Sequence, residues 1–183
     1  MTRGRERNGV PRYTLTAIAL HWLSALLIVA AFVLGMTMVD IPGITPTKLK
    51  YFSWHKWLGV TVFALACLRL LWRLGHRPPP DPASMPAWQR GAAHAVHWAL
   101  YGLVFAVPLS GYFYSLAAGV PVVYLGVLPL PVLIAPDPQL KETLQGVHYA
   151  LNMAMAALVV VHLAAVIKHQ WIDRDRLLAR MLP

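Results

Sequence analysis

The 183-residue chain is short of charge, and shortest of negative charge: 13% of its residues are charged and only seven are acidic. An ordinary soluble domain carries about 25% charged residues. Too little polar surface is available to cover a soluble fold of this size, so the bilayer must be part of the solvent. Cysteine is nearly absent as well. The single Cys67 excludes an intrachain disulfide and any C-x-x-C attachment or metal motif. The scarcity of acids leaves 16 basic residues and a formal charge of +9, a balance that invites a nucleic-acid reading. Those bases lie between apolar runs instead of gathering on one face or arm, which is the signature a nucleic-acid binder would need. No nucleic acid is expected as a partner, and the bases read as orienting signals beside membrane lipids.

What is present is apolar length. Hydrophobic residues make up 58% of the chain, and four runs reach the roughly 20 residues that a helix needs to cross about 30 Å of hydrocarbon. They fall at roughly 13–39, 52–74, 92–118 and 143–168. The first follows Arg3, Arg5, Arg7 and Arg12, but it exceeds a signal peptide's apolar stretch of about 7 to 15 residues, and no A-x-A site follows. It is expected to remain as a span. The expected fold is an all-α membrane protein, one domain over 1–183, built as a four-transmembrane-helix bundle.

The connections carry Pro42, Gly43 and Pro46, then the Pro78-Pro79-Pro80 run with Pro82 and Pro86. The third, GVPVVYLGVLPLPVLIAPDP over 119–138, is apolar yet holds five prolines, which makes a continuous helix untenable. It reads as an interfacial loop folded over a helix end. Pro108 sits within the third span, where neighbouring groups must satisfy the freed carbonyl. The N-terminus, the loop around 69–91 and the C-terminal tail hold all eleven arginines and Lys168, whereas the other two connections hold Lys48, Lys50, Lys56 and Lys141. Twelve bases against four place both termini in the cytoplasm.

The chemistry lies in the eight histidines. Ionisable groups inside a span are costly and mark function, and His21, His55, His97, His148 and His162 all lie well within the runs, with His94 near a start. His148 and His162 are fourteen residues apart, about 1400° of helical rotation, so they share one face about 21 Å apart along the axis. Each then needs a partner at its own depth. His21 and His162 both lie a turn or two from the cytoplasmic boundary, while His55 and His148 both lie early in helices that enter from the far side. Two opposed imidazoles at each level suit a haem iron lying between helices. Structural zinc wants four converging ligands, and the apolar runs supply no carboxylates. Two stacked b-type haems enclosed by the bundle are therefore expected.

Small residues beside these positions, Gly59 after His55 and Ala17, Ser24 and Ala25 around His21, leave room for a flat cofactor and are equally common at plain helix contacts. Trp22, Trp54, Trp57 and Trp98 read as the aromatic belt of the interfaces. Arg69 and Arg73, with Arg12 and Arg90, are placed to meet haem propionates or quinone oxygens, since guanidinium matches a carboxylate bidentately. Headgroup contact accounts for such arginines too. His94 and His97 are read as hydrogen-bonding or proton-handling groups near the cytoplasmic-side cofactor, and His76 and His169 as boundary residues.

In these pieces the sequence resembles the bacterial cytochrome b561 family of four-helix dihaem membrane proteins. They are H-W-L at His21, H-K-W-L-G from His55 followed by L-R-L-L-W-R, H-x-x-H-x-x-x-Y ending at Tyr101, P-L-S-G from Pro108, and H-x13-H from His148. The resemblance implies His21 and His162 as ligands of the cytoplasmic-side haem and His55 and His148 of the periplasmic-side haem, the pairing also reached from spacing. It further implies a superoxide:ubiquinone oxidoreductase. Lys48, Lys50, Lys56 and Lys141 would steer the superoxide anion by electrostatic focusing, a role to be weighed against a merely solvated, snorkelling rim. Two alternatives stay open. One is a cytochrome b subunit passing electrons between quinone and a redox partner protein such as a dehydrogenase, a hydrogenase or a periplasmic carrier. The other, a non-redox permease with a histidine path, predicts a colourless protein.

Overall fold

A computed structural model describes residues 6–7, 10–82 and 84–182. Arg3 and Arg5 of the basic leader lie outside these residues. Four long helices carry the chain through the bilayer: α1 (Leu15–Asp40), α2 (Pro46–Gly75), α3 (Ala87–Ala117) and α4 (Pro138–Lys168). All four are long and apolar enough to span, and the protein is a multi-pass membrane protein. The helices pack in sequence, α1 along α2 and α3 along α4, and the two pairs meet where α2 lies against α3.

α2, α3 and α4 begin about five residues before their apolar runs do, because local chemistry and not hydropathy starts a helix. The Thr45 side chain accepts from the Lys48 N–H at 3.2 Å, and Pro46 occupies the first turn, where its missing N–H costs nothing. Asp137 caps α4 in the same way, accepting from Gln139 and Leu140 at 2.9 and 3.0 Å ahead of Pro138. Lys48, Lys50 and Lys141 thus ride on first helical turns. α3 runs unbroken through Pro108.

The apolar, proline-rich connection between α3 and α4 folds as an antiparallel hairpin, β3 (Val123–Tyr124) and β4 (Leu128–Pro129). Leu125 and Gly126 both take left-handed φ at its turn, the geometry that tight hairpins require. The hairpin leans on α2. Trp57 Nε1 donates to the Val123 carbonyl at 2.8 Å, and the Tyr124 hydroxyl lies 3.0 Å from Thr61 Oγ1. A second ribbon, β1 (Glu6–Arg7) with β2 (Val10–Pro11), precedes α1.

The opposite end of the bundle is tied by the tail. After α4 a π-helical turn, His169–Asp173, leads to left-handed Arg174 and Arg176. The tail then runs back along the bundle end. Its Arg180 carbonyl accepts from Tyr13 N, and the buried Arg180 side chain donates through Nη1 to the Pro80 carbonyl at 2.6 Å. Trp22 Nε1 donates to Met181 O at 2.7 Å, and Arg12 donates to the Leu182 carbonyl. The chain segment entering α1, the α2–α3 connection and the C-terminal tail therefore share one end, and the hairpin occupies the other.

Candidate haem-binding sites

At the hairpin end, α2 and α4 bring His55 and His148 together, with ring centroids 6.2 Å apart and planes nearly perpendicular at 88°. Each imidazole is fixed from behind. His55 Nδ1 lies 2.9 Å from the Ala31 carbonyl of α1. His148 Nδ1 lies 3.2 Å from the Val107 carbonyl and 2.9 Å from Ser110 Oγ of α3. A carbonyl only accepts, so Nδ1 carries the proton in both rings and Nε2 keeps its lone pair. Ligating histidines are commonly held through the second nitrogen in this way. Both rings also need glycine. A Cβ on Gly35 would come within 3.0 Å of His55 Cε1, and one on Gly111 within 2.9 Å of His148 Cε1.

At the tail end, His21 of α1 and His162 of α4 stand 6.5 Å apart between centroids, at 69°. His97 of α3 lies 5.4 Å from His162. His21 Nδ1 is buried without a partner. Beside this group, the Arg69 and Arg73 guanidiniums of α2 lie 5.2 and 5.6 Å from the centre of the Tyr101 ring on α3.

These donors fit a metal-centred planar group. Metal–imidazole bonds run about 2 Å and a ring nitrogen lies about 1 Å from its ring centre, so one ion between opposed imidazoles spaces their centres by about 6 Å. Both diametric pairs meet that spacing, while His97–His162 falls short of it. The glycine seats at the hairpin end and the orphaned His21 nitrogen at the tail end are features that a plain hydrogen-bonded histidine pair would not need.

Other expected residues are placed differently. His94 does not join the tail-end cluster: its Nε2 lies 3.3 Å from Asp81 Oδ2, which Arg90 Nε approaches at 3.6 Å. His94 lies on the same side of α3 as His97 but one turn nearer the helix start, which places it beside the α2–α3 connection that carries Asp81. Among the lysines, Lys48 Nζ donates to the Ile41 carbonyl at 2.7 Å and Lys50 covers the Trp54 ring at 4.6 Å. Lys56 is half-buried next to His55, and Lys141 is exposed. His76 stacks on Trp72 at 3.9 Å. His169 is more than a boundary residue, because it lies 2.6 Å from Asp175 and 3.2 Å from Asp173 and pins the tail. The sequence reading missed Gly35 and Gly111. Their signal was available as a glycine fourteen residues after His21 and after His97.

A four-span helical bundle with inward imidazoles from separate helices defines a membrane cytochrome of the b type. A sequence model described as prokaryotic cytochrome b561 matches residues 12–183, and the chain belongs to this family. It is 34% identical over 175 residues to cytochrome b561 homolog 2 of Escherichia coli strain K12, covering 96% of this chain and 93% of that protein. It is 27% identical over 172 residues to cytochrome b561 homolog 1 of the same strain, covering 94% and 97%. Over 176 residues it is 26% identical to a Yersinia pestis protein named probable superoxide oxidase CybB, covering 94% and 96%. The protein is thus a membrane electron-transfer protein of a haem b-binding, oxidoreductase family.

Proposed function

We propose that this single-domain chain, 1–183, holds two b-type haems and oxidises superoxide at the hairpin side while reducing ubiquinone, with both termini in the cytoplasm of a bacterial inner membrane. The observation that carries the reading is the pair of opposed imidazole sets at two depths, centroids 6.2 and 6.5 Å apart. His55 and His148 would hold the periplasmic-side haem, and His21 and His162 the cytoplasmic-side one. Bound haem supplies one-electron redox chemistry, and two imidazoles leave no open position for dioxygen.

The chain's own groups do the rest. Superoxide is an anion, and the hairpin end carries Lys48, Lys50, Lys56 and Lys141. Among the described residues the Lys56 and Lys141 ammonium groups have no hydrogen bond or ion pair and are left to draw it in, because Lys48 and Lys50 are engaged with a carbonyl and an indole face. At the tail end, Arg69, Arg73 and His97 converge near Tyr101 and His162. They are suited to bind a quinone carbonyl or a propionate, the neutral His97 ring through its N–H. The Yersinia relative's name, probable superoxide oxidase, supports the choice of donor.

Purified protein in ubiquinone-containing vesicles should reduce the quinone when superoxide is generated outside, and should show two haems per chain. If superoxide leaves the haems oxidised while a soluble partner reduces them, the chain is a cytochrome b subunit instead. His148→Ala and His162→Ala should each lower the haem-to-protein ratio from two towards one. An unchanged spectrum in either variant removes that residue from the ligand set.

A further inference from the structure

The two helix pairs repeat one another. α1 reads H-W-x4-L-x2-A-x4-G from His21 to Gly35, and α3 reads the same from His97 to Gly111. α2 reads H-x2-L-x5-A-L-x4-L from His55, and α4 reads the same from His148. The structure repeats with the sequence. In each pair the second helix lays its histidine on the glycine of the first, and the Nδ1 atom reaches the carbonyl four residues before that glycine: Ala31 ahead of Gly35, Val107 ahead of Gly111. The longer connection of the second pair is the hairpin.

This register pairs His21 with His97, His55 with His148, and His162 with Arg69, each fourteen residues from its landmark. At the hairpin end both copies keep their histidine. At the tail end three of the four places are imidazoles, and the fourth is a guanidinium at ligand depth, 5.2 Å from the ring of Tyr101, which follows His97 by one turn.

We infer that Arg69, standing in the repeat's fourth ligand place, is a positioning residue that sets the redox potential of the tail-end centre above that of the hairpin-end centre. The inference rests on the two-haem reading proposed above. A bis-imidazole centre carries one more positive charge oxidised than reduced, so a fixed cation nearby favours the reduced form. Arginine remains charged in such a setting, and the low dielectric of the bilayer preserves the interaction. The nearest cation to the hairpin-end pair, Lys56, follows His55 directly but sits on a flexible stem able to snorkel outward. Arg73, one turn beyond Arg69, adds to the tail-end field. The resulting order of potentials makes inward electron flow downhill.

Spectroelectrochemical titration of the purified holoprotein tests this, with the two components assigned by their loss in His162→Ala and in His55→Ala. Arg69→Gln should lower the midpoint of the tail-end component and leave the other in place, whereas Arg69→Lys should hold it near the original value. Midpoints unchanged in Arg69→Gln would overturn the inference. So would loss of the tail-end haem in both Arg69 variants, because Arg69 would then be required to retain the group, and a propionate contact rather than a field on the potential would be its role. Retention of two haems in His162→Ala would instead overturn the underlying ligand assignment.

Discussion

A single methyl group separates a seated His148 from a displaced one. The ideal Cβ position at Gly111 lies 2.9 Å from His148 Cε1, and that at Gly35 lies 3.0 Å from His55 Cε1; neither ring can retreat without losing its Nδ1 bond to a main-chain carbonyl. Gly111→Ala and Gly35→Ala should therefore lower haem occupancy at the hairpin end, read as the haem-to-protein ratio of purified protein. Gly102→Ala on the same α3 is the control, since nothing lies within 4 Å of a Cβ there. Its occupancy should stay at the parental value; a drop as large as that of Gly111→Ala would mean that small residues on α3 matter for helix packing generally. The histidines were legible from sequence because ionisable groups stand out in apolar runs. The glycines were not, because glycine in a membrane span has several uses and only the position of the facing ring separates them.

At the scale of elements, hydropathy located four helices and misjudged where three begin. A transfer scale registers hydrocarbon, whereas the starts of α2 and α4 are set by Thr45, Asp137 and the prolines that follow them, and α3 starts directly after Pro86. The hairpin was legible only as a loop. Its prolines exclude a helix, but the β3–β4 pairing depends on left-handed Leu125 and Gly126 and on an anchor far away in sequence, Trp57. Trp57 sits on α2 as an interfacial tryptophan would, yet its indole N–H is spent on the Val123 carbonyl. Trp57→Phe keeps a smaller aromatic ring and deletes the donor, and should cost at least about 1 kcal/mol, the usual net worth of one such bond. Protease susceptibility around Leu125–Val127 should rise as the hairpin loosens, while the four helices stay intact by far-ultraviolet circular dichroism. Unaltered cleavage would show that Tyr124 and Thr61 suffice to hold the hairpin.

For the whole molecule, sidedness decides which chemistry is reachable. The tail end gathers Arg12, Arg69, Arg73, Arg90 and the C-terminal arginines, and the hairpin end gathers lysines alone. The topology proposed above, with the tail end in the cytoplasm, follows the positive-inside bias. A thiol scan resolves this directly: in a Cys67→Ser background, Val127→Cys at the exposed hairpin turn should react with an impermeant maleimide on intact spheroplasts, and Leu182→Cys should react only after permeabilisation. The reverse pattern would turn the bundle over and send the anion-steering lysines into the cytoplasm, away from the substrate assigned to them. The expected pattern has an energetic consequence. An electron moving from the hairpin end to the tail end travels towards the negative interior, against the membrane potential, at about 2.3 kcal/mol per 100 mV for the full thickness. Spanning part of that thickness, the two centres must absorb a matching share, which is the work that a cation fixed beside the tail-end site can do. Imposing an inside-negative potential on vesicles should therefore slow quinone reduction more in Arg69→Gln than in the parent protein; equal slowing would show that the potential difference between the centres does not carry the electron inward.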